Sequence, residues 1–276
     1  MFRFFIPMIS IFFVTSCFKK KSDNSPEALM QIPMQCDFQP QDQKLPPSNP
    51  RIGIVVTAFN RVEYLRPTLE ALKHSNLDEN VSVVIVDDAS SDPRVLKIID
   101  DYEIPSIKKK VIKIKFPKNK GLLQAMLAGM EVLKDSTDYL MNLDPDTYVK
   151  KNWVPGLIKT FEAIHHQYAI LTGFNAQNHP IISCTVFDKK QSYCEKKSLS
   201  GVNFFFTTAF YKAGYSNWLK EIDQKVGWKL WDWKVMECMR KHQLKVYTSS
   251  PSLVQHIGAT GTNTKAIGDY DFAYDF

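Results

Sequence analysis

From residue 51 onward the chain alternates short apolar runs with longer stretches of helical periodicity. Ile52 to Thr57 is apolar and rich in β-branched residues, the pattern of a strand buried on both faces. Asn60 stands where an N-cap belongs, with Glu63 three residues on to close a capping box. Leu65, Leu69 and Leu72 then form the buried stripe of a helix. Val81 to Val86 predicts a second strand, stopping abruptly at Asp87-Asp88-Ala89-Ser90-Ser91-Asp92. Pro93 suits the first turn of a helix whose inward residues are Val95, Ile98, Ile99 and Tyr102. Val111 to Phe116 reads as a third strand, Asn119-Lys120-Gly121 as a turn, and Leu122 to Lys134 as a helix. Tyr139 to Leu143 reads as a fourth strand that runs into Asp144-Pro145-Asp146.

This strand–helix alternation predicts an α/β fold with a mostly parallel central sheet and helices on both faces. In such sheets ligands bind outside the carboxyl ends of the strands. Three polar clusters fall at those ends: Ala58-Phe59-Asn60-Arg61, Asp87-Asp88, and Asp144 with Asp146. No G-x-G-x-x-G follows the first strand, and the chain has no P-loop and no G-x-S-x-G elbow. What remains is a sheet with acidic residues at its mouth. Carboxylates repel phosphates but hold a divalent cation that binds them, and oxygen ligands favour Mg²⁺ or Mn²⁺.

Composition narrows the class without choosing the chemistry. Hydrophobic residues at 44% and charged ones at 23% exclude a disordered or fibrous chain. The net charge of +6 is scattered, apart from Lys19–Lys21 and Lys108–Lys110, and reads as a solvated face or an attraction to anionic ligands and lipid surfaces rather than nucleic-acid binding. The amino terminus reads as an address: Met1-Phe2-Arg3, an apolar stretch from Phe4 to Val14, then Val14-Thr15-Ser16-Cys17. That ending resembles a bacterial lipobox with Cys17 as the lipidated residue; an uncleaved short anchor is the alternative. Either predicts membrane association through the N-terminus over residues 1–17. Lys19–Lys21 leave the side of the membrane open. Residues 18–50, rich in Lys, Ser, Asn, Gln and Pro, read as a flexible tether with no core of its own. Cys36, Cys184, Cys194 and Cys238 suit two disulfides, with Cys184–Cys194 the favoured pair, or else four reduced thiols.

The stretches Ile54–Arg61, Val84–Asp92, Asn119–Gly121 and Leu143–Thr147, in this order, resemble the inverting family 2-type glycosyltransferases of the GT-A fold. The resemblance implies a nucleotide-sugar-binding half over 51–155, an acceptor-binding half over 156–262 and a tail over 263–276. It implies a nucleotide-diphosphate sugar donor, UDP-linked by family habit, held by Thr57, Ala58, Phe59, Asn60, Arg61, Asp87, Asp88, Gly121 and Asp144. Asp146 of the D-x-D motif, with His256, would hold Mn²⁺ or Mg²⁺. Asp232, within Trp231-Asp232-Trp233, would be the general base, the part a carboxylate plays when a hydroxyl must lose its proton. The family usually carries an acidic pair there; this chain has one. Gly201, Trp231 and Trp233 would face a glycan, lipid-linked or protein acceptor, although the tryptophans also suit a core. Met126-Leu127 stands where relatives often carry Arg-Asn. Gly258 to Asn263 reads as a flexible loop, and the histidines other than His256 read as surface. A carbohydrate-binding protein derived from this fold and a nucleotidyltransferase are the competing readings.

Overall fold

The computed structural model describes residues 25–42, 44–260 and 271–276. Cys17, the address segment, and residues 261–263 of the expected loop lie outside the described residues.

A short helix α1 (Pro26–Met30) precedes β1 (Ile52–Ala58), α2 (Val62–His74), β2 (Val81–Asp87), α3 (Pro93–Asp101), β3 (Ile112–Lys115), α4 (Leu122–Leu133) and β4 (Tyr139–Leu143). These strands form the parallel block β3-β2-β1-β4. Every residue of β1, β2 and β4 is buried because helices cover both faces. Ile52, Ile54 and Val56 join one core with Leu65, Leu69, Val95 and Ile99. Val55, Val84 and Val86 face a second core with Leu123, Met126 and Met130 of α4. Met126 and Leu127 are therefore packing residues, and α4 sends no polar contact from those positions.

The remaining elements are β5 (Thr147–Val149), α5 (Trp153–Ile164), β6 (Ile170–Thr172), β7 (Ile181–Asp188), β8 (Gln191–Lys196), β9 (Phe205–Thr207), α6 (Thr208–Phe210), α7 (Ser216–Lys225), α8 (Trp231–Lys241), β10 (Val246–Ser250) and β11 (Val254–His256). They extend the sheet to β3-β2-β1-β4-β9-β6-β10-β8-β7, with β9, β8 and β7 antiparallel to their neighbours. A separate ribbon pairs β11 with β5 antiparallel and sets His256 opposite Thr147. Cys184 and Cys194 form a disulfide across β7 and β8. No helix among the described residues is long and apolar enough to cross a membrane.

Residues 25–42 are not a free tether. Ile32, Met34, Cys36 and Phe38 alternate inward, with Met34 and Cys36 buried. Cys36 is disulfide-bonded to Cys238 of α8. Glu221 accepts from Gln35 N at 2.7 Å and Cys36 N at 3.1 Å, and Trp218 Nε1 donates to Asp37 O at 2.7 Å. Buried Lys234 donates to Met30 O at 2.9 Å and Ile32 O at 2.7 Å, closing the carboxyl end of α1. Phe38 sits among the rings of Tyr168, Phe210, Trp218 and His242. The surrounding polar residues mask this period-2 pattern, which is why the segment reads as a tether.

Candidate active site

The ends of β1, β2 and β4 open on one cavity of about 620 Å³. Thr57, Ala58, Phe59, Arg61, Asp88, Gly121, Asp144, Asp146, Gly201, Trp231, Asp232, Trp233 and His256 all line it. Asn60 and Asp87, expected to contact the donor, lie behind this lining rather than in it. Asn60 has φ 52° and Arg61 φ 56°, so the chain turns through two left-handed residues before α2 begins. Arg61, not Asn60, is the N-cap, and it makes no side-chain cap. The Asn60 amide oxygen instead accepts from Ser91 N at 2.9 Å and Asp92 N at 3.1 Å, while its own N–H donates to Ser90 Oγ at 2.8 Å. Asp87 is 1% exposed and accepts from Ser90 N at 3.2 Å. Both residues tie the β1 and β2 turns together through these bonds.

Asp88 does face the cavity, and both its oxygens are also engaged. They accept from Lys120 N at 2.6 Å and Gly121 N at 2.8 Å, which fixes the turn before α4. The donor wall is thus held rigid by side chain-to-backbone bonds between successive strand ends.

The Asp144-Pro145-Asp146 turn is pinned from α2, where the buried Thr68 hydroxyl accepts from Thr147 N at 3.0 Å and lies 2.9 Å from the Pro145 carbonyl. Asp146 Oδ2 stands 2.8 Å from Arg61 Nη1 and 3.5 Å from His256 Nε2. Burial opposes the Asp146 charge, yet His256 and then Arg61 hold its carboxyl below the usual range. Burial likewise works against a charged His256, but the Asp146 contact raises its pKa overall. Asp144 lies in the opposite setting: burial and the neighbouring Asp146 charge hold its carboxyl well above the usual range. Its buried Oδ1 has no hydrogen-bond partner among the described residues. Backbone closeness seals the turn. Ile257 N donates to Asp146 O at 2.8 Å, and a Cβ on Gly258 would come within 2.3 Å of Asp146 Oδ2.

The opposite wall comes from the start of α8 and the loop before β9. Asp232 Oδ1 accepts from Trp233 N at 2.8 Å and Oδ2 accepts from Gly201 N at 3.2 Å. Burial pushes its pKa up to about 6 against those donors. Trp231 is core, 6% exposed, its ring against Phe204 and so close to Gly201 that a Cβ there would lie 2.4 Å away. Trp233 is 43% exposed and leaves a ring face for a ligand, 6.0 Å between centroids from the His179 ring. His179, expected on the surface, is buried, bonded through Nδ1 to Ser198 Oγ at 2.8 Å, and burial lowers its pKa to about 4. Asp223 and Glu237, the other acidic residues near this helix, bond to Gln124 and Lys234 and do not line the cavity.

Asn119, Ser200, Trp228, Lys229 and Asp271 also line the cavity. Lys229, one turn before Asp232, carries a cationic signal legible in sequence. Asp271 follows no motif and reaches the site only because residues 271–276 fold back onto the β11 end. Among the described residues, no three His, Cys, Asp or Glu side chains gather closely enough to hold a metal by themselves. Asp146 and His256 nevertheless present an oxygen and an imidazole nitrogen at one point, beside an unpartnered Asp144 oxygen. That donor set fits a hard to borderline divalent ion whose other positions a ligand completes.

Residues 53–182 match the profile of the family described as "Glycosyl transferase family 2". The teichoic acid poly(glycerol phosphate) polymerase of Staphylococcus epidermidis is 24% identical over 198 residues, covering 69% of this chain and 26% of the polymerase. The chain thus spans about a quarter of that relative's length. Among solved structures, S. aureus TarS in complex with UDP superposes with a TM-score of 0.53 at 14% identity, over 74% of this chain and 59% of TarS. GalNAc-T7 with UDP, GalNAc and Mn²⁺ gives 0.60 at 14% identity, over 76% of this chain and 44% of its own. At these identities the structural likeness establishes the GT-A fold.

Proposed function

From the match of residues 53–182 to glycosyl transferase family 2, we propose that the chain is a divalent-metal-dependent transferase that moves a sugar from a UDP-sugar to an acceptor hydroxyl with inversion. The observation that carries this reading is the opposition of Asp146 with His256 on one wall of the cavity to Asp232 on the other. UDP is preferred because it occupies the TarS and GalNAc-T7 complexes of the same fold.

Asp146 Oδ2 and His256 Nε2 would hold Mn²⁺ or Mg²⁺, whose chemistry is to offset the charge that builds on a departing diphosphate. Arg61 and Lys229 add fixed positive charge on the same path. Thr57, Ala58, Phe59 and Gly121 shape the cleft for the nucleoside, and Asp88 acts by holding the Lys120-Gly121 backbone there. Asp232 accepts the proton of the acceptor hydroxyl as its oxygen bonds the anomeric carbon and the carbon–oxygen bond to the diphosphate breaks. One carboxylate serving one displacement predicts inversion. Burial that brings Asp232 to about 6 makes it a stronger base than a surface aspartate, and a group titrating there is still mostly ionised at neutral pH.

Attachment to a membrane through residues 1–17 remains part of this reading. The Cys36–Cys238 and Cys184–Cys194 disulfides support an oxidising compartment for the domain.

The test is a transfer and donor-hydrolysis screen across nucleotide sugars, with and without Mn²⁺, followed by NMR assignment of the product anomer. Turnover that ignores EDTA overturns the metal dependence, and a retained anomer overturns the single displacement.

A further inference from the structure

The last six residues return to the cavity and touch its histidine. Gln255, immediately before His256, clamps them. Its Oε1 accepts from Ala273 N at 2.8 Å and from His256 N at 3.1 Å, and its Nε2 donates to Ala273 O at 3.0 Å. Asp275 anchors the far end, accepting from Asn175 Nδ2 at 3.0 Å, Ser250 Oγ at 2.9 Å, Ser252 N at 3.1 Å and Ser252 Oγ. Ala273 also forms an antiparallel bridge with Ala176. Together these contacts hold the Asp271 carbonyl 3.1 Å from His256 Nδ1.

A carbonyl oxygen only accepts, so in that contact Nδ1 must carry the hydrogen. A neutral ring with its proton on Nδ1 has its lone pair on Nε2, and Nε2 is the atom 3.5 Å from Asp146 Oδ2. Which nitrogen of a histidine binds a metal is set by the bond the other one makes. We propose that the C-terminal segment Asp271–Phe276 is a positioning element of the site: clamped by Gln255 and Asp275, the Asp271 carbonyl fixes the His256 tautomer and aims Nε2 at the Asp146 side of the cavity. This inference rests on the reading of Asp146 and His256 as metal ligands.

Asp275→Ala removes four hydrogen bonds while touching neither ligand, and Gln255→Leu removes the clamp itself. Loss of an outer-shell partner typically weakens metal affinity about 10- to 100-fold. Titration of Mn²⁺ in the presence of UDP is expected to show roughly a tenfold loss in each variant, the low end of that range because the carbonyl itself remains. Nitrogen-15 NMR of histidine-labelled protein with Mg²⁺ and UDP present is expected to show His256 as the Nδ1–H ring in the parent chain and a mixture in both variants. Dispersed spectra identify the variants as folded. An Nε2–H tautomer in the parent chain, or folded variants with parental Mn²⁺ affinity, overturns the inference. A parent chain that shows the Nδ1–H ring but binds no Mn²⁺ overturns the metal reading instead.

Discussion

On the wall built by strand ends, Asp146 lies between Arg61 and His256, and its carboxyl is held below the usual range. Across the cavity the donors to Asp232 among the described residues are backbone N–H groups, and burial lifts it to about 6. The same side-chain chemistry thus meets two opposite electrostatic settings. Cationic neighbours favour the charged form of one carboxylate, while desolvation brings the other within reach of a proton. The walls also differ in how they are made. Asn60, Asp87 and Asp88 lace adjacent strand ends into a rigid turn system. The Asp232 wall stands on the first turn of α8, supported by the disulfide-stapled strap of residues 25–42.

The sharpest test of this contrast is Asp232→Asn. It keeps the shape of the side chain but cannot take a proton, and loss of a general base costs about 10² to 10⁴ in rate. Transfer assays should show that loss while calorimetry finds donor affinity unchanged; near-normal turnover would move the base elsewhere. Asp146→Ala is expected to do the reverse, weakening Mn²⁺-dependent UDP binding by about 100-fold, at least the cost of losing an outer-shell partner. Unchanged UDP affinity in that variant would end the assignment of the D-x-D aspartate.

A pH profile separates the walls more finely. With Asp232 near 6, the working form is the ionised one, so kcat/KM is flat above that pH and falls about tenfold per unit below it. Asp271, which burial also brings to about 6, is the other candidate for such a limb. The acid limb should survive Asp271→Asn and be absent from the residual activity of Asp232→Asn. The smallest expected effect is that of Trp233→Ala. Loss of an exposed ring face costs roughly 1 kcal/mol of stacking, which a saturation curve would record as about a fivefold rise in acceptor KM with kcat little changed. An equal fall in kcat would mean that Trp233 also orients Asp232.

The centre of the parallel block was legible because β1, β2 and β4 are buried on both faces and therefore appear as largely apolar runs; Tyr139 to Leu143 matches β4 end to end. Carboxylates at strand ends could be placed for the same reason, since the chain leaves a parallel strand at a fixed edge of the sheet. Their uses could not. Asn60 and Asp87 look like ligand contacts in sequence, and the fold also gives them backbone bonds to residues three to thirty-two positions away. The strap was missed because its apolar residues alternate with Gln, Pro and Asp, and one buried side at period 2 is faint without its partner surface.

Sequence alone determined the order of elements, the acidic mouth of the sheet and the residues able to do chemistry there, because local periodicity and strand direction are properties of the chain. Tertiary structure decided which carboxylates remain charged, which way His256 faces, and that Asp271 belongs to the site. Those outcomes depend on burial and on contacts between segments far apart in sequence, such as Arg61 with Asp146 and Asp271 with His256. No local pattern encodes the electric field that such neighbours create together.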